Sequence, residues 1–377
     1  MSGPGVPIQV AGQVTGQMPG QVAVAVAGSG LAELTCARLL AGRGHTVRLP
    51  PAPTGPAGPR PLLLNQPALE LLDSLWGPGL LHGTWELTGR EVAWGDAAPA
   101  RFAQPARVVD GEWLAARMRE RLDAEESRNG LGGTTEGTPR RGTGDGAGGR
   151  TSRPAGGGAV AWTVRATAPE DAHHTYGRRV LLAGTAPLAG GADERTARLA
   201  TAGLGWVHLT PLGAGRCLAQ AMVPGPAAGP AELLARLLRE SGLDTVLAHP
   251  PRTAVAVPAA PRLHRSPAAP PGPQQPGERA CGVLTVGAGA LRCDPLSGTG
   301  TAQALRTGIL AAAVVDAAAG GTSADALCAH YTARLRRAFR EHLRTCARLY
   351  AAAFPGAEWR DEFAAPEGAS ARGAAVG

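Results

Sequence analysis

Apolar positions along this chain follow two periods, separated by stretches with neither. Residues 21–30, QVAVAVAGSG, form a near-continuous apolar run that ends in glycines, as a buried parallel strand does. Leu31, Leu34, Leu39 and Leu40 then recur at helical spacing over residues 31–43, with Gly44 as the stop signal. Residues 45–49, HTVRL, read as a second strand and complete a β–α–β unit. A short helix is expected over 67–75 and strand over 92–95. An amphipathic helix is expected over 112–126 on Trp113, Leu114, Met118 and Leu122. Strands resume at 160–165 and 179–182. Residues 206–222 read as a hairpin turning at 213–215, and 231–240 as a helix. GVLTV at 282–286 is a buried strand, 301–319 a nearly all-apolar helix, and 322–352 a long arginine-rich helix. Such a β–α–β opening and closing strand–turn–helix, with mixed strands between, predict an α/β domain interrupted by an inserted β-rich domain.

The stretches without period are rich in glycine and proline, of which the chain has 54 and 33. Residues 1–20 are expected to be a disordered leader, 50–61 and 258–277 loops, and 127–158 a flexible low-complexity insertion. A length of 377 residues suits two domains, and a 44% hydrophobic content suffices for a core. The formal charge of +7 comes from arginine alone, since the chain has no lysine. Most arginines are scattered. The exception is the run Arg334, Arg336, Arg337, Arg340, Arg344 and Arg348, which reads as a solvated helix face, and no nucleic-acid partner is expected. Six cysteines have neither CxxC spacing nor a histidine pairing suited to zinc, so no metal site is expected. No signal-peptide pattern opens the chain, and the apolar runs at 22–27 and 309–319 are too short to span a bilayer. The expectation is a cytoplasmic protein without a membrane partner.

Two glycine turns carry the candidate chemistry. Gly28, Ser29 and Gly30 lie between strand and helix, where a tight turn brings a pyrophosphate to the helix N-terminus. The third small position of that fingerprint is Glu33, which crowds the helix–strand contact and adds charge. Pro50 and Pro51 stand where an acid would take the ribose hydroxyls. Taken alone, this half-fingerprint is equally a mere tight turn. The second turn follows the strand at 282–286 and passes Gly287, Asp294, Pro295, Leu296, Ser297, Gly298, Thr299 and Gly300 before the apolar helix. Free amides at that helix start suit an electron-rich edge such as a flavin N1–C2=O.

With these residues the chain resembles the FAD-dependent monooxygenase superfamily, and within it the tryptophan-halogenase-like branch, whose members carry GDAA and DPLSGxG before a helix. AWG at 93–95, DGEWLAARM at 110–118 and GWVHLTPLGAGR at 205–216 are similar to the same branch. The resemblance implies a Rossmann-like FAD-binding domain of the aromatic-hydroxylase or glutathione-reductase type, with an inserted mixed β-sheet substrate domain and a C-terminal helix. On that template residues 21–75, 100–183 and 278–320 hold the cofactor domain, 76–99 and 184–277 the substrate domain, and 321–377 the helix and tail. It also implies FAD as cofactor at Gly28–Gly30, Gly287 and residues 294–300, an aromatic or peptide substrate, and a separate flavin reductase. It assigns no catalytic residue.

Departures from the pattern weaken the expected FAD binding. The branch has Gly at Glu33, an acid near Pro50, Arg near Gly111, Asp at Ala288 and GES at Leu62, Leu63 and Leu64. Losing these groups removes charge-assisted hydrogen bonds of about 1.5–3 kcal/mol each. Halogenation is not expected, because the flavin halogenases that the chain resembles use a lysine and a WxWxIP signature, and the chain has neither. Two alternatives to an FAD-dependent oxidoreductase stay open: a non-catalytic homologue serving as a scaffold, and a nicotinamide-dependent dehydrogenase. His173 and His174 read as solvated loop residues, and His208 as a satisfied strand histidine.

Overall fold

The computed structural model describes residues 9–10, 20–51, 60–130, 161–225, 227–272 and 281–363. Most of the expected leader and most of the 127–158 insertion lie outside them.

β1 (Gln9–Val10), β2 (Ala23–Val26), α1 (Leu31–Ala41) and β3 (Thr46–Arg48) open the chain. β1 falls in the expected leader, where its Gln9 pairs in parallel with Thr46. α1 ends as the glycines require: Gly42 donates to the Arg38 carbonyl, and Gly44 turns the chain at φ +85°. β4 (Pro61–Leu64) leads to α2 (Gln66–Trp76), whose cap is Asn65, accepting the Ala68 N–H. β5 (Trp85–Ala93) and β6 (Ala100–Asp110) form a hairpin, and α3 (Gly111–Gly130) follows. The turn between β5 and β6 carries AWG. Gly95 sits at φ +61°, and the Trp94 indole donates to the Leu349 carbonyl of the C-terminal helix.

The middle of the chain supplies β7 (Trp162–Arg165), β8 (His173–Thr175), β9 (Val180–Pro187), β10 (Thr196–Ala202), β11 (Gly205–Gly213), β12 (Arg216–Val223) and α4 (Pro230–Glu240). β13 (Val255–Pro258), β14 (Arg262–His264) and β15 (Ala268–Ala269) come next. β14 and β15 lie inside the expected proline-rich loop. The chain closes with β16 (Gly282–Thr285), α5 (Gly287–Ala290), β17 (Leu291–Arg292), α6 (Gly300–Ala319), α7 (Ala324–Ala353) and α8 (Ala357–Phe363).

Three sheets result. The first has the order β1-β3-β2-β7-β16-β15 and is parallel except for the β15 edge. Because β3 and β7 flank β2 on opposite sides, the crevice beyond β2 is a topological switch point, where α/β folds take ligands. The second sheet runs β13-β9-β12-β11-β10-β5-β6-β4. It therefore contains β4, β6 and the start of β9, three strands expected in the cofactor domain. The reason is pairing: β6 is antiparallel to both β5 and β4, so the hairpin carries its neighbours into one sheet. The third sheet, β17-β14-β8, is small and places His173 and His174 on a strand rather than a loop.

The core under the first sheet joins Val24, Val47, Trp162, Val164 and Leu284 to α1, α6 and α7. α4 covers the second sheet with Leu234, Leu237 and Leu238. α6 is 20 residues long, in line with the helix expected over 301–319, and is long and apolar enough to cross a membrane by composition, which the shorter run at 309–319 was not expected to be. Here it is an interior helix wedged against α1. A Cβ on Gly308 would stand 2.3 Å from the Ala32 carbonyl oxygen, so only glycine allows the two backbones this approach.

Candidate functional site

Two helix N-termini define the site. The first is α1. Glu33, in its opening turn, folds back so that one carboxylate oxygen accepts the Gly30 N–H at 3.0 Å. The other accepts the Ala166 N–H, just beyond β7, at 2.8 Å. The carboxylate thus spans the switch-point crevice from the β2 turn to the end of β7. It fills the volume the glycines leave, since a Gly28 Cβ would meet its oxygen at 2.0 Å and a Gly30 Cβ at 2.5 Å. Glu33 is 3% exposed. Burial raises its carboxyl above the usual range, and the two amide bonds pull it part of the way back. The expected crowding at position 33 is therefore present, and it falls on the amides that would serve a pyrophosphate.

The second is α6. No side chain caps its N-terminus at Thr299, and helix geometry leaves the first-turn amides without intrahelical acceptors. Gly298 and Gly300 are exposed, and nothing lies within 4 Å of where a Gly300 Cβ would stand. Gly298 adopts φ +61°, and its carbonyl accepts from the Asn65 amide at 3.1 Å. The cap of α2 thereby tethers the loop before α6.

Asp294 holds that loop from beneath and faces inward. Its carboxylate accepts from Arg179 Nε at 2.7 Å, from the Leu296 N–H at 2.9 Å and from the Tyr350 hydroxyl at 3.1 Å. Arg179 is fully buried and also donates to Glu362 of α8 at 3.2 Å. One cation thus meets two carboxylates, and the remaining charge is met by the amides of Arg178 and Arg179 on Glu362. Tyr350 in turn accepts from the Trp206 indole at 2.8 Å. The sequence offered no signal for this network, because Arg179, Glu362 and Asp294 are far apart in the chain.

Pro295, Leu296, Ser297 and Gly298 form one wall of a cavity of about 120 Å³, whose other wall is the second sheet. Leu63, Leu87 and Leu199 supply apolar surface, and Arg90, Gln104, His208 and Gln220 the polar groups. His208 Nδ1 lies 3.2 Å from the Thr210 hydroxyl, but Nε2 is buried without a protein partner, and so is Arg90 Nε. His208 is therefore not the satisfied strand histidine its sequence position suggested. Burial, and secondarily the nearby Arg90 charge, lower its pKa to about 3, so the ring is neutral. Arg90, Gln104 and Gln220 had no sequence signal beyond strand alternation. A larger open groove of about 1080 Å³ lies elsewhere, between α7 and the third sheet, with Arg336, Arg340 and Arg344 along it.

The other expected site residues are placed as follows. Gly287 (φ +57°) donates to the Thr307 hydroxyl, and Ala288, where the resemblance expects Asp, is exposed on α5. Ser29 has no hydrogen bond described for it. His173, expected in solvent, lies 2.8 Å from the Gly289 carbonyl. For FAD the fit is divided. The glycines and uncapped helix at α6 suit the electron-rich edge of a flavin ring, while the adjoining cavity of about 120 Å³ is smaller than the ~300 Å³ or more of a typical ligand pocket. The α1 turn, with the Glu33 carboxylate on its Gly30 amide, does not fit a diphosphate.

This is the fold of the FAD-dependent monooxygenases and halogenases. Among solved structures the chain is similar to CmlS, a flavin-dependent halogenase, with a TM-score of 0.66 and 20% identity over 91% of this chain and 67% of that one. It is likewise similar to QhpG, a peptidyl tryptophan dihydroxylase essential for tryptophylquinone cofactor biogenesis, with a TM-score of 0.66 and 20% identity over 92% and 79% of the two chains. A third is PqsL, a probable FAD-dependent monooxygenase from Pseudomonas aeruginosa, at 0.59 and 17% over 91% and 99%. No protein-family model and no curated protein sequence matches the chain.

Proposed function

We propose that this chain is a flavin-dependent oxidoreductase of the monooxygenase type, acting on an aromatic or peptide-borne substrate, in the cytoplasm, with electrons from a separate flavin reductase. The observation that carries this reading is the cavity between the second sheet and the loop before α6. It joins apolar walls to two unpartnered polar groups beside an uncapped helix N-terminus. A reduced flavin, when bound, supplies the electrons and the oxygen-activating chemistry. The chain's own residues orient and enclose. The α6 dipole and amides favour negative charge at the ring edge. Leu63, Leu87 and Leu199 exclude water, and Arg90 Nε and neutral His208 Nε2 position a polar group of the substrate. The similarity to a peptidyl tryptophan dihydroxylase supports the substrate class.

A second reading, a scaffold that has lost the cofactor, is favoured by the Glu33 carboxylate in the α1 turn. Titrating riboflavin and FAD into the protein and following the visible spectrum decides between them. A perturbed flavin band in wild type that disappears in a folded Gly300→Val supports the oxidoreductase. Gly300 is the suitable position, because its Cβ direction is open and the fold tolerates a side chain there. An unperturbed spectrum with both flavins sinks that reading and leaves the scaffold.

A further inference from the structure

In the switch-point crevice, a dinucleotide-binding fold keeps backbone N–H groups free for a ligand's phosphates. Here the donor at the start of the turn, Gly30, is taken. Gly30, at the start of α1, and Ala166, beyond β7, come from separate elements and give their N–H groups to one side chain, Glu33. The carboxylate lies against Gly28 and Gly30 closely enough that no Cβ fits at either position. Among the described residues no arginine or histidine forms an ion pair with it, so its charge is met by the amides and the helix dipole alone.

We infer that the Glu33 carboxylate is a built-in substitute for a ligand phosphate, which closes the α1 turn to nucleoside diphosphates and leaves the α6 end as the part of the crevice open to a ligand. Three physical effects act together. A diphosphate would have to displace two charge-assisted hydrogen bonds. It would enter beside a carboxylate that has no cation partner, and like charges in a low-dielectric crevice repel. Displacing the carboxylate would also mean moving a five-atom side chain out of a nearly fully buried position. The Gly30 bond also caps α1 from within, as the N3 acid of a capping box does, although a glycine N-cap supplies no reciprocal side chain. The ligand class that remains is a flavin ring whose binding gains nothing from a diphosphate arm. The inference deepens the flavin reading at the α6 end, yet it can be tested without it, because ADP carries the diphosphate and no flavin.

Calorimetric titration of ADP and of riboflavin into wild type, Glu33→Ala and Glu33→Gly tests it. Freeing two amides and removing one charge tightens ADP binding by about tenfold or more in the variants, the equivalent of ~1.4 kcal/mol. Riboflavin affinity stays within about twofold, since it has no phosphate to place. Equal ADP affinity in wild type and a folded variant overturns the inference, and so does a riboflavin gain as large as the ADP gain. Should the variants fail to fold, amide exchange on wild type serves instead. Gly30 and Ala166 protected without ligand, and unchanged by ADP, supports the inference; rapid exchange at either overturns it. An ADP gain with no flavin binding in any form would defeat the oxidoreductase reading and leave this one standing.

Discussion

The N-termini of α1 and α6 are built from nearly the same material and end in opposite states. α1 follows the buried parallel strand β2 directly and α6 follows β16 after α5 and β17; each starts at two glycines one residue apart, and each belongs to a helix packed in the same interior, where Gly308 meets Ala32. At α1 one carboxylate takes the turn amide and an amide from beyond β7, and fills the space the glycines open. At α6 no side chain caps the helix, and the glycines stay exposed beside a cavity. The difference follows from one position. A side chain three residues into α1 reaches back to its own N-terminus, whereas the acid nearest the α6 N-terminus in the chain, Asp294, precedes the turn and is drawn inward by Arg179. A glycine turn is therefore a ligand site only while nothing in the chain satisfies it.

Four substitutions break or sharpen this contrast, in order of expected size. Arg179→Met leaves Asp294 and Glu362 buried without their cation, and stability falls by ~3–5 kcal/mol in urea unfolding. A fall of less than about 1 kcal/mol would mean that the loop before α6 is not held by this network. His208 gives a pH dependence. Its folded pKa of about 3 lies below the free value of 6.5, so stability is complete above about 6.5 and is lost as the pH falls toward 3. His208→Gln removes that loss, ~2–3 kcal/mol after discounting for the cavity the ring lines, and the difference between wild-type and variant urea midpoints across this window measures it. Identical slopes would show that the imidazole titrates freely. Gly308→Ala forces α6 off Ala32 at a cost of ~1–3 kcal/mol and lowers the thermal midpoint. Asn65→Ala removes the α2 cap and the tether on the Gly298 carbonyl, costs ~1 kcal/mol, and speeds amide exchange in the loop before α6 while leaving the α1 turn unchanged.

Elements dictated by local pattern were legible in the sequence. β2, α1 and α6 followed from apolar period and glycine placement, and α7 was read as a long arginine-rich helix. Features that depend on distant pairing were not. β4 and β6 carry no mark of which sheet they join, because that is settled by antiparallel partners rather than by their own residues. β14 and β15 are too short to outweigh the prolines around them. At the site, the sequence showed that Glu33 was out of place but not where its carboxylate would point. The inward turn of Asp294 depends on Arg179, 115 residues away. The groups lining the cavity, Arg90, Gln104, His208 and Gln220, sit on neighbouring strands and share no sequence motif.

The most direct test of the contrast uses the wild-type protein alone. Riboflavin and FAD share the isoalloxazine ring, and only FAD carries the diphosphate and adenosine that the α1 turn would hold. With α6 open and α1 closed, the two dissociation constants measured side by side agree within about threefold, since the Glu33 carboxylate stands where the diphosphate of FAD would go. FAD binding tighter than riboflavin by tenfold or more would contradict the account, because it would show the α1 amides at work on a phosphate despite Glu33.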